Sequence, residues 1–220
     1  MRQSFLGGTR VGAGLAAAGF VLAVTFGATA RDQGWSPLEA IVASVLIFSG
    51  SAQFALLAAG GAALPAVAAA LLINGRFLPM GLAVGPSLSG GRIRRALQGQ
   101  AVVDGSWVAA HLGGGRFDRW RMFGATAVQW PAWVAGTAVG VLTAPSPHLV
   151  ETLGLDVVFP AFFLALLLGE VRGRRPLTAA GLGAAVAAGL LWWVPAGIAL
   201  VGATAGALIG LTGRSEEVTA

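Results

Sequence analysis

Polar and charged residues interrupt the apolar segments of this chain at four places. They are Ser49-Gly50-Ser51-Ala52-Gln53, Asn74-Gly75-Arg76, Asp104 in the run AVVDGSW, and Gln129-Trp130-Pro131. A charged side chain at the centre of a bilayer costs on the order of 2.5–3.5 kcal/mol on insertion scales, and it normally faces a bundle interior or a cavity and has a partner. We therefore expect these residues to face protein or a cavity rather than lipid.

Arg76 and Asp104 carry opposite charges, so they are natural partners. A static salt bridge between them would fix the arrangement of the helices. A functional pair would instead form a site for a zwitterion or for a proton-linked carboxylate. The residue types alone leave both alternatives open.

The segment 49–53 also has two interpretations. Ser51 and Gln53 could hydrogen-bond to neighbouring helices, an interaction worth about 0.6 kcal/mol on average in membranes. The density of Ser, Gly, Ser and Gln within two turns favours a substrate-lining, unwound segment. In that case Gly50 removes side-chain bulk where the backbone bends or approaches a ligand.

Other chemistries find less support in the residues. His111 and His148 lack metal-ligand spacing and the chain has no cysteine, so we expect no metal and no cofactor. No G-x-x-x-x-G-K-[ST] nucleotide motif is present. Ser51 follows Gly50 as in a nucleophile context, but the fuller G-x-S-x-G pattern is absent. We expect no catalytic residues and no enzyme; an intramembrane serine-type enzyme is the alternative.

The composition of the chain predicts that most of it lies in a lipid bilayer. Of the 220 residues, 56% are hydrophobic and 10% are charged, and the mean hydropathy is +0.78. A soluble domain carries about a quarter charged residues. All 14 basic residues are arginine, clustered as in cytoplasmic loops rather than in a nucleic-acid-binding stripe, so we expect no nucleic-acid partner. We expect a single integral membrane domain over 1–220, with a short solvated tail from about 213.

The apolar stretches predict an all-α fold, a polytopic membrane helix bundle of about six to eight segments. The stretches lie near 8–30, 37–60, 62–89, 97–112, 122–143, 152–170, 177–193 and 195–212. The second begins at a predicted capping box, with Ser36 as N-cap, Pro37 in the first helical position and Glu39 completing the box.

Arginine bias predicts the orientation of these segments. The clusters within 91–95, 116–121 and 172–175 look cytoplasmic, and both termini are expected in the cytoplasm. If 62–89 crossed the membrane fully, the first cluster would lie outside. We therefore expect 62–89 and 97–112 to be broken or re-entrant, which the interruption at 74–76 favours.

Glycines recur at four-residue spacing, which lets helix backbones approach closely. They are Gly8 and Gly12, Gly81 and Gly85, Gly136 and Gly140, and Gly202, Gly206 and Gly210. Two explanations stay open, namely packing within this chain and a docking face for a separate membrane subunit.

Several blocks of the chain resemble the AzlC family. The run FGATARDQGWSPLEAIVASVLIFSGSAQF at 26–54 matches that family's phenylalanine-glycine pair, Gly-x-Ser-Pro-x-Glu helix start and following Ala-Gln-Phe motif. Further matches are NGRFLPMGLAVGPSL (74–88), VVDGSW (102–107), VQWPAWVAGTAVG (128–140) and LGLDVVFPAFFLALLLG (153–169). The resemblance covers most of residues 15–212.

The resemblance implies the large subunit of a two-component exporter of branched-chain amino acids. It implies a small AzlD-type membrane subunit as partner and a multi-pass location in a bacterial-type cytoplasmic (inner) membrane. Since no nucleotide motif is present, the proton gradient is the expected energy source. The chain departs from the family pattern at Phe77, where a histidine is usual, and at Val103 and Gly105, where many members have Thr and Glu.

On this reading 48–54 and 74–77 are helix breaks that line a midplane site. Arg76 would attract a substrate carboxylate or neutralise Asp104 in the empty site, and Asp104 would carry the proton or bind the ammonium group. The expected lining residues are Phe48, Ser49, Gly50, Ser51, Gln53, Phe54, Asn74, Arg76 and Phe77. The alternative is a scaffold subunit whose partner holds the site.

Overall fold

The computed structural model describes residues 1–58, 63–145, 147–152 and 174–194, together with 154, 157, 161, 164, 167, 168, 199, 202 and 203. Over these residues the chain is helical with short turns and contains no strand; one isolated bridge joins His111 to Phe117. The predicted all-α class is confirmed in this part of the chain. Most of the predicted segments 152–170 and 195–212, and the tail from 213, lie outside the described residues.

The described helices follow one another with short connections. They are α1 (Arg2–Asp32), α2 (Pro37–Leu46), α3 (Gly50–Ala58), α4 (Ala63–Asn74), α5 (Phe77–Val84), α6 (Arg92–Gly99), α7 (Asp104–Ala110), α8 (Arg119–Thr143), α9 (Pro147–Thr152) and α10 (Arg174–Leu190), with a 3-10 turn at Gly85–Ser87 after α5.

Helix α1 is the one helix among the described residues that is both long enough and apolar enough to cross a membrane. Its 31 residues span about 46 Å at 1.5 Å per residue. Shorter apolar helices lie at Pro37–Leu46, Phe77–Ser87 and Pro176–Leu190. The number of membrane crossings therefore stays a prediction.

Large apolar side chains cover much of the outer surface. Leu46, Leu64, Leu78, Leu82 and Ile93 are between 72% and 81% exposed. Exposed apolar side chains, where they gather into patches, mark contact with a membrane or another protein. The surface agrees with the bilayer that the composition predicts.

Helices α1 and α8 pack against each other along most of their length and run parallel. Phe5 lies opposite Gly124 near one end, and Val24 lies opposite Gly140 near the other. A β carbon at Gly140 would overlap the carbonyl oxygen of Val24, so only glycine permits this approach of the two backbones. At this interface the four-residue glycine spacing serves packing within the chain, including at Gly12.

The predicted start of α2 is confirmed. The Ser36 hydroxyl accepts the backbone N–H of Glu39 at 3.2 Å, and the Glu39 carboxylate accepts the backbone N–H of Ser36 at 2.7 Å. This reciprocal pair satisfies two N–H groups that have no partner within the helix.

The segment predicted over 37–60 contains a helix break, as the unwound interpretation of 48–54 predicts. Helix α2 ends at Leu46, and Ile47 leaves the helical region with φ −109° and ψ 87°. Residues 47–49 are non-helical before α3 begins at Gly50. The break is thus shorter than the predicted 48–54. A second break, at Gly75 and Arg76, separates α4 from α5, where the sequence predicts an interruption.

Asp118 caps the N-terminus of α8. Its carboxylate accepts the backbone N–H groups of Trp120 at 2.8 Å and Arg121 at 3.3 Å. Burial raises the pKa of Asp118, but the Ser4 hydroxyl, these backbone bonds and the Arg121 guanidinium together leave that pKa below its ordinary value. The carboxylate is therefore a stabilising cap in its ionised form.

We expect Gly140→Ala to lower the thermal unfolding midpoint of the purified chain. The added methyl meets the Val24 carbonyl and forces the helices apart, and overpacking of this kind costs about 1–3 kcal/mol. Gly14→Ala is the matched control, since nothing lies within 4 Å of its would-be β carbon. At that exposed helical position alanine is expected to stabilise by about 0.5–1 kcal/mol. Equal effects of the two substitutions would contradict the packing.

Replacement of Asp118 by alanine is expected to cost about 1 kcal/mol of stability near neutral pH, because the cap is lost. Asp118→Asn retains a capping side chain and should cost less. Because the folded-state pKa is lowered, the carboxylate stabilises fully above the ordinary aspartate pKa of about 3.9 and loses that effect as pH falls through the lowered value. Thermal unfolding against pH should show the parent and Asp118→Ala converging in acid. A constant difference down to the lowest pH would argue against the ionised cap.

Candidate functional site

A cavity of about 70 Å³ lies where the two helix breaks meet α7 and α8. A single water needs roughly 10–15 Å³, so several waters or a small polar group fit there. Its polar wall consists of Ser49, Ser51, Arg76, Asp104 and Gln129. Its apolar wall consists of Leu22, Phe48, Phe77, Val103 and Trp133. The cavity therefore combines both signs of charge with a hydrophobic surface.

Arg76 and Asp104 form a bidentate ion pair on the cavity wall. Arg76 Nε donates to Asp104 Oδ1 at 3.0 Å, and Arg76 Nη2 donates to Asp104 Oδ2 at 2.8 Å. The two side chains are 28% and 23% exposed, so the pair is accessible from the cavity although it is largely enclosed. Parallel bonds between a guanidinium and a carboxylate fix geometry as well as charge.

The position of Arg76 follows from the break between α4 and α5. Its third nitrogen, Nη1, donates to the carbonyl of Ile73 at 3.1 Å and so satisfies a carbonyl at the end of α4. The guanidinium carbon lies 4.5 Å from the centroid of the Phe77 ring, within cation–π range. Arg76 thus holds the chain break and the ion pair together.

Ser49 links the two breaks directly. Its hydroxyl donates to Asn74 Oδ1 at 2.7 Å, and its Oγ lies 3.5 Å from that of Ser51. Since Ser49 is in the first break and Asn74 is the last residue before the second, this bond holds the breaks side by side. Asn74 is engaged by Ser49 and is not part of the cavity wall.

Gln53 belongs to a buried hydrogen-bond network behind the cavity. Its Nε2 donates to Ser44 Oγ at 3.0 Å, and Trp133 Nε1 donates to its Oε1 at 2.7 Å. The Ser44 hydroxyl lies 2.7 Å from that of Thr137. Gln53, Ser44 and Thr137 are fully buried. The network joins α2, α3 and α8 across the break, so the interhelical interpretation describes Gln53.

Gln53 and Phe54, like Asn74, are predicted lining residues that lie outside the cavity wall, and Gly50 has a different reason for its identity. Gln53 faces α8, and the Phe54 ring packs edge-on against Phe26 at 5.8 Å. At Gly50, a β carbon would lie 3.0 Å from Trp133 Cζ2. The glycine makes room for the indole, where the sequence suggested a bend or a ligand.

The structure adds residues that the predicted site lacks. The sequence marks Gln129 as a polar interruption without assigning it to the site. Leu22, Val103, Gly105 and Trp133 also line the cavity. A signal for part of this set exists in the sequence. Gln129, Trp133 and Thr137 recur at four-residue intervals, which places them on one face of α8.

The histidines lie apart from this site. The His111 ring stacks on Trp107 and Phe117, with centroids 5.6 and 5.1 Å away, and His148 lies beside Thr152 on α9. Within the part of the chain that the structure describes, no group of three or more His, Cys, Asp or Glu residues is arranged to hold a metal ion.

Short apolar helices broken beside a polar, protein-lined cavity, together with an apolar outer surface, define a membrane protein with interrupted helices. The family model "AzlC protein" matches residues 14–146, and the chain belongs to this family. The matched region contains every residue of the cavity wall named above.

Curated relatives cover most of the chain. It is 32% identical to an uncharacterized membrane protein of Archaeoglobus fulgidus, over 76% of this chain and 75% of the relative. It is 31% identical to inner membrane protein YgaZ of Escherichia coli, over 86% and 82%. It is 27% identical to branched-chain amino acid transport protein AzlC of Bacillus subtilis, over 84% and 78%. No solved structure matches the chain.

Trp133→Phe is expected to lower stability by about 1–3 kcal/mol, because it leaves the fully buried Gln53 Oε1 without its indole donor. Trp130→Phe is the matched control on the same helix, since Trp130 is 41% exposed. Thermal unfolding of the two variants in detergent checks the network. A Trp133→Phe variant as stable as the control would show that the indole bond contributes nothing.

Proposed function

We propose that this chain exports branched-chain or other small apolar amino acids from the cytoplasm and uses the proton gradient to do so. One observation carries the proposal. A guanidinium and a carboxylate, paired with each other, face a cavity whose remaining wall is largely apolar. This combination complements a zwitterion with a hydrocarbon side chain.

The substrate's two charges have matching partners in the ion pair. Its carboxylate would bind Arg76 and its ammonium group would bind Asp104. Each side chain would then still face an opposite charge after the ion pair opens. The side chain would rest against Phe48, Phe77 and Leu22. The relative named as a branched-chain amino acid transport protein supports this substrate class.

Proton coupling would follow from competition at Asp104. A proton and the substrate's ammonium group would use the same carboxylate, so binding of one disfavours binding of the other. Such competition is the condition for exchanging an outgoing amino acid for an incoming proton. Protonated Asp104 no longer neutralises Arg76, and the pair is then free to open.

We place the chain in a bacterial-type cytoplasmic membrane as a multi-pass protein with cytoplasmic termini. Its arginine clusters support that orientation. The parallel course of α1 and α8 is also what two spans starting on the same side require. A small AzlD-type subunit is the proposed partner, and the exposed apolar surface provides room for it.

Leucine efflux from cells that express the chain with its small subunit tests the site. Asp104→Asn is expected to reduce efflux at least tenfold and to abolish its dependence on the pH gradient. Arg76→Gln is expected to reduce efflux comparably, because the substrate carboxylate loses its cation. Asp32→Asn and Arg116→Gln, at exposed positions, are the matched controls.

Unchanged efflux in both Asp104→Asn and Arg76→Gln would overturn the site. If the chain is only a scaffold subunit, leucine should not raise the thermal unfolding midpoint of the purified chain. A ligand that binds the folded state raises its stability. Stabilisation of the chain alone would thus contradict the scaffold alternative.

A further inference from the structure

The side-chain amide nitrogen of Gln129, Nε2, is buried and unpaired within the part of the chain that the structure describes. The residue lies in the middle of α8, it is 8% exposed, and its side chain forms part of the cavity wall. Most buried polar side-chain atoms in folded proteins are paired, so this exception requires a reason.

Gly105 explains how the amide is accommodated. A β carbon at Gly105 would lie 2.7 Å from Gln129 Oε1 and 3.1 Å from Nε2, both closer than ordinary contact. The carboxamide therefore rests against the bare backbone of α7. Asp104, the neighbour of Gly105 in the chain, pairs with Arg76. Arg76, Asp104, Gly105 and Gln129 all line this cavity, so Gln129 and the ion pair belong to the same cavity wall.

A carboxylate ligand would use this arrangement. Its two oxygens have about four lone-pair sites, and Arg76 already donates Nη1 to the Ile73 carbonyl, which reduces what it can offer. An amide N–H is a neutral donor that adds a hydrogen bond without adding a second cation. Within the described residues Nε2 has no hydrogen-bond acceptor, so its N–H groups are the donors that a ligand carboxylate could take up.

We propose that Gln129 donates a hydrogen bond to the carboxylate of the transported amino acid, beside Arg76. Gln129 and Arg76 together form a carboxylate subsite, and Gly105 keeps the space for the amide. The inference rests on the proposed function, because it assigns one part of the substrate to one side of the cavity. It makes Gln129 a determinant of selectivity for carboxylate-bearing ligands.

The test compares two ligands that differ only in the carboxylate. The purified full chain is titrated with L-leucine and with isoamylamine, which is leucine without its carboxylate, and the rise in thermal midpoint gives each affinity. Gln129→Leu is expected to weaken leucine binding about tenfold, the effect of one lost hydrogen bond to a charged group, and to leave isoamylamine binding unchanged. Gln100→Leu makes the same chemical change at an exposed position outside the cavity and should alter neither.

Gly105→Ala provides a second route that leaves the glutamine in place. Its methyl displaces the carboxamide, so leucine binding should fall selectively here as well. Unchanged leucine binding in both variants, or equal weakening of both ligands, would overturn the subsite. Either result would leave the proposed function standing, because the parent would still bind leucine. Absence of any leucine binding by the parent would overturn both.

Discussion

A helix that stops inside an apolar environment leaves carbonyl and N–H groups that water cannot reach, and the surrounding structure depends on how the protein satisfies them. Here the second break is held by Arg76, whose guanidinium bonds the Ile73 carbonyl while it pairs with Asp104. Ser49 ties the first break to the second through Asn74. The cavity exists because both breaks are fixed next to each other by side chains from the breaks themselves.

The remaining scaffold is built to keep those breaks in place. The parallel contact of α1 and α8 brings two backbones together at glycines and presents Trp133 to α3. The indole fills the space that Gly50 leaves and binds the amide of Gln53, whose other end reaches Ser44. Each polar group in this network has a partner, so the network positions α3 without contributing a free group to the cavity.

The sequence predicts the all-α fold, the capping box at Ser36 and both interruptions, because composition and local signals encode them. It also brings Arg76 and Asp104 together, since opposite charges in apolar segments need partners. It does not predict which way Gln53 and Phe54 face. Residues 47–49 leave the helix, so the rotational phase of α2 does not continue into α3. The faces of α3 depend on tertiary contacts with α1 and α8.

The reason for Gly50 is likewise not predictable from the sequence, because it is the side chain of Trp133 on α8 that requires a glycine there. Gln129 was visible as a polar residue in an apolar helix, but its relation to Gly105 depends on how α7 docks against α8. Such pairings between distant segments are a property of the assembled fold. Spacing along one helix, as for Gln129 and Trp133, recovers only the residues that share a face.

Arg76 takes part both in the ion pair and in the connection between α4 and α5. One planar group neutralises Asp104, closes the end of α4 and lies over the ring that opens α5. A change in the charge of Asp104 would therefore act directly on Arg76, the residue that connects α4 to α5. In the proposed transporter, a ligand that opens the ion pair would therefore act directly on the connection between α4 and α5.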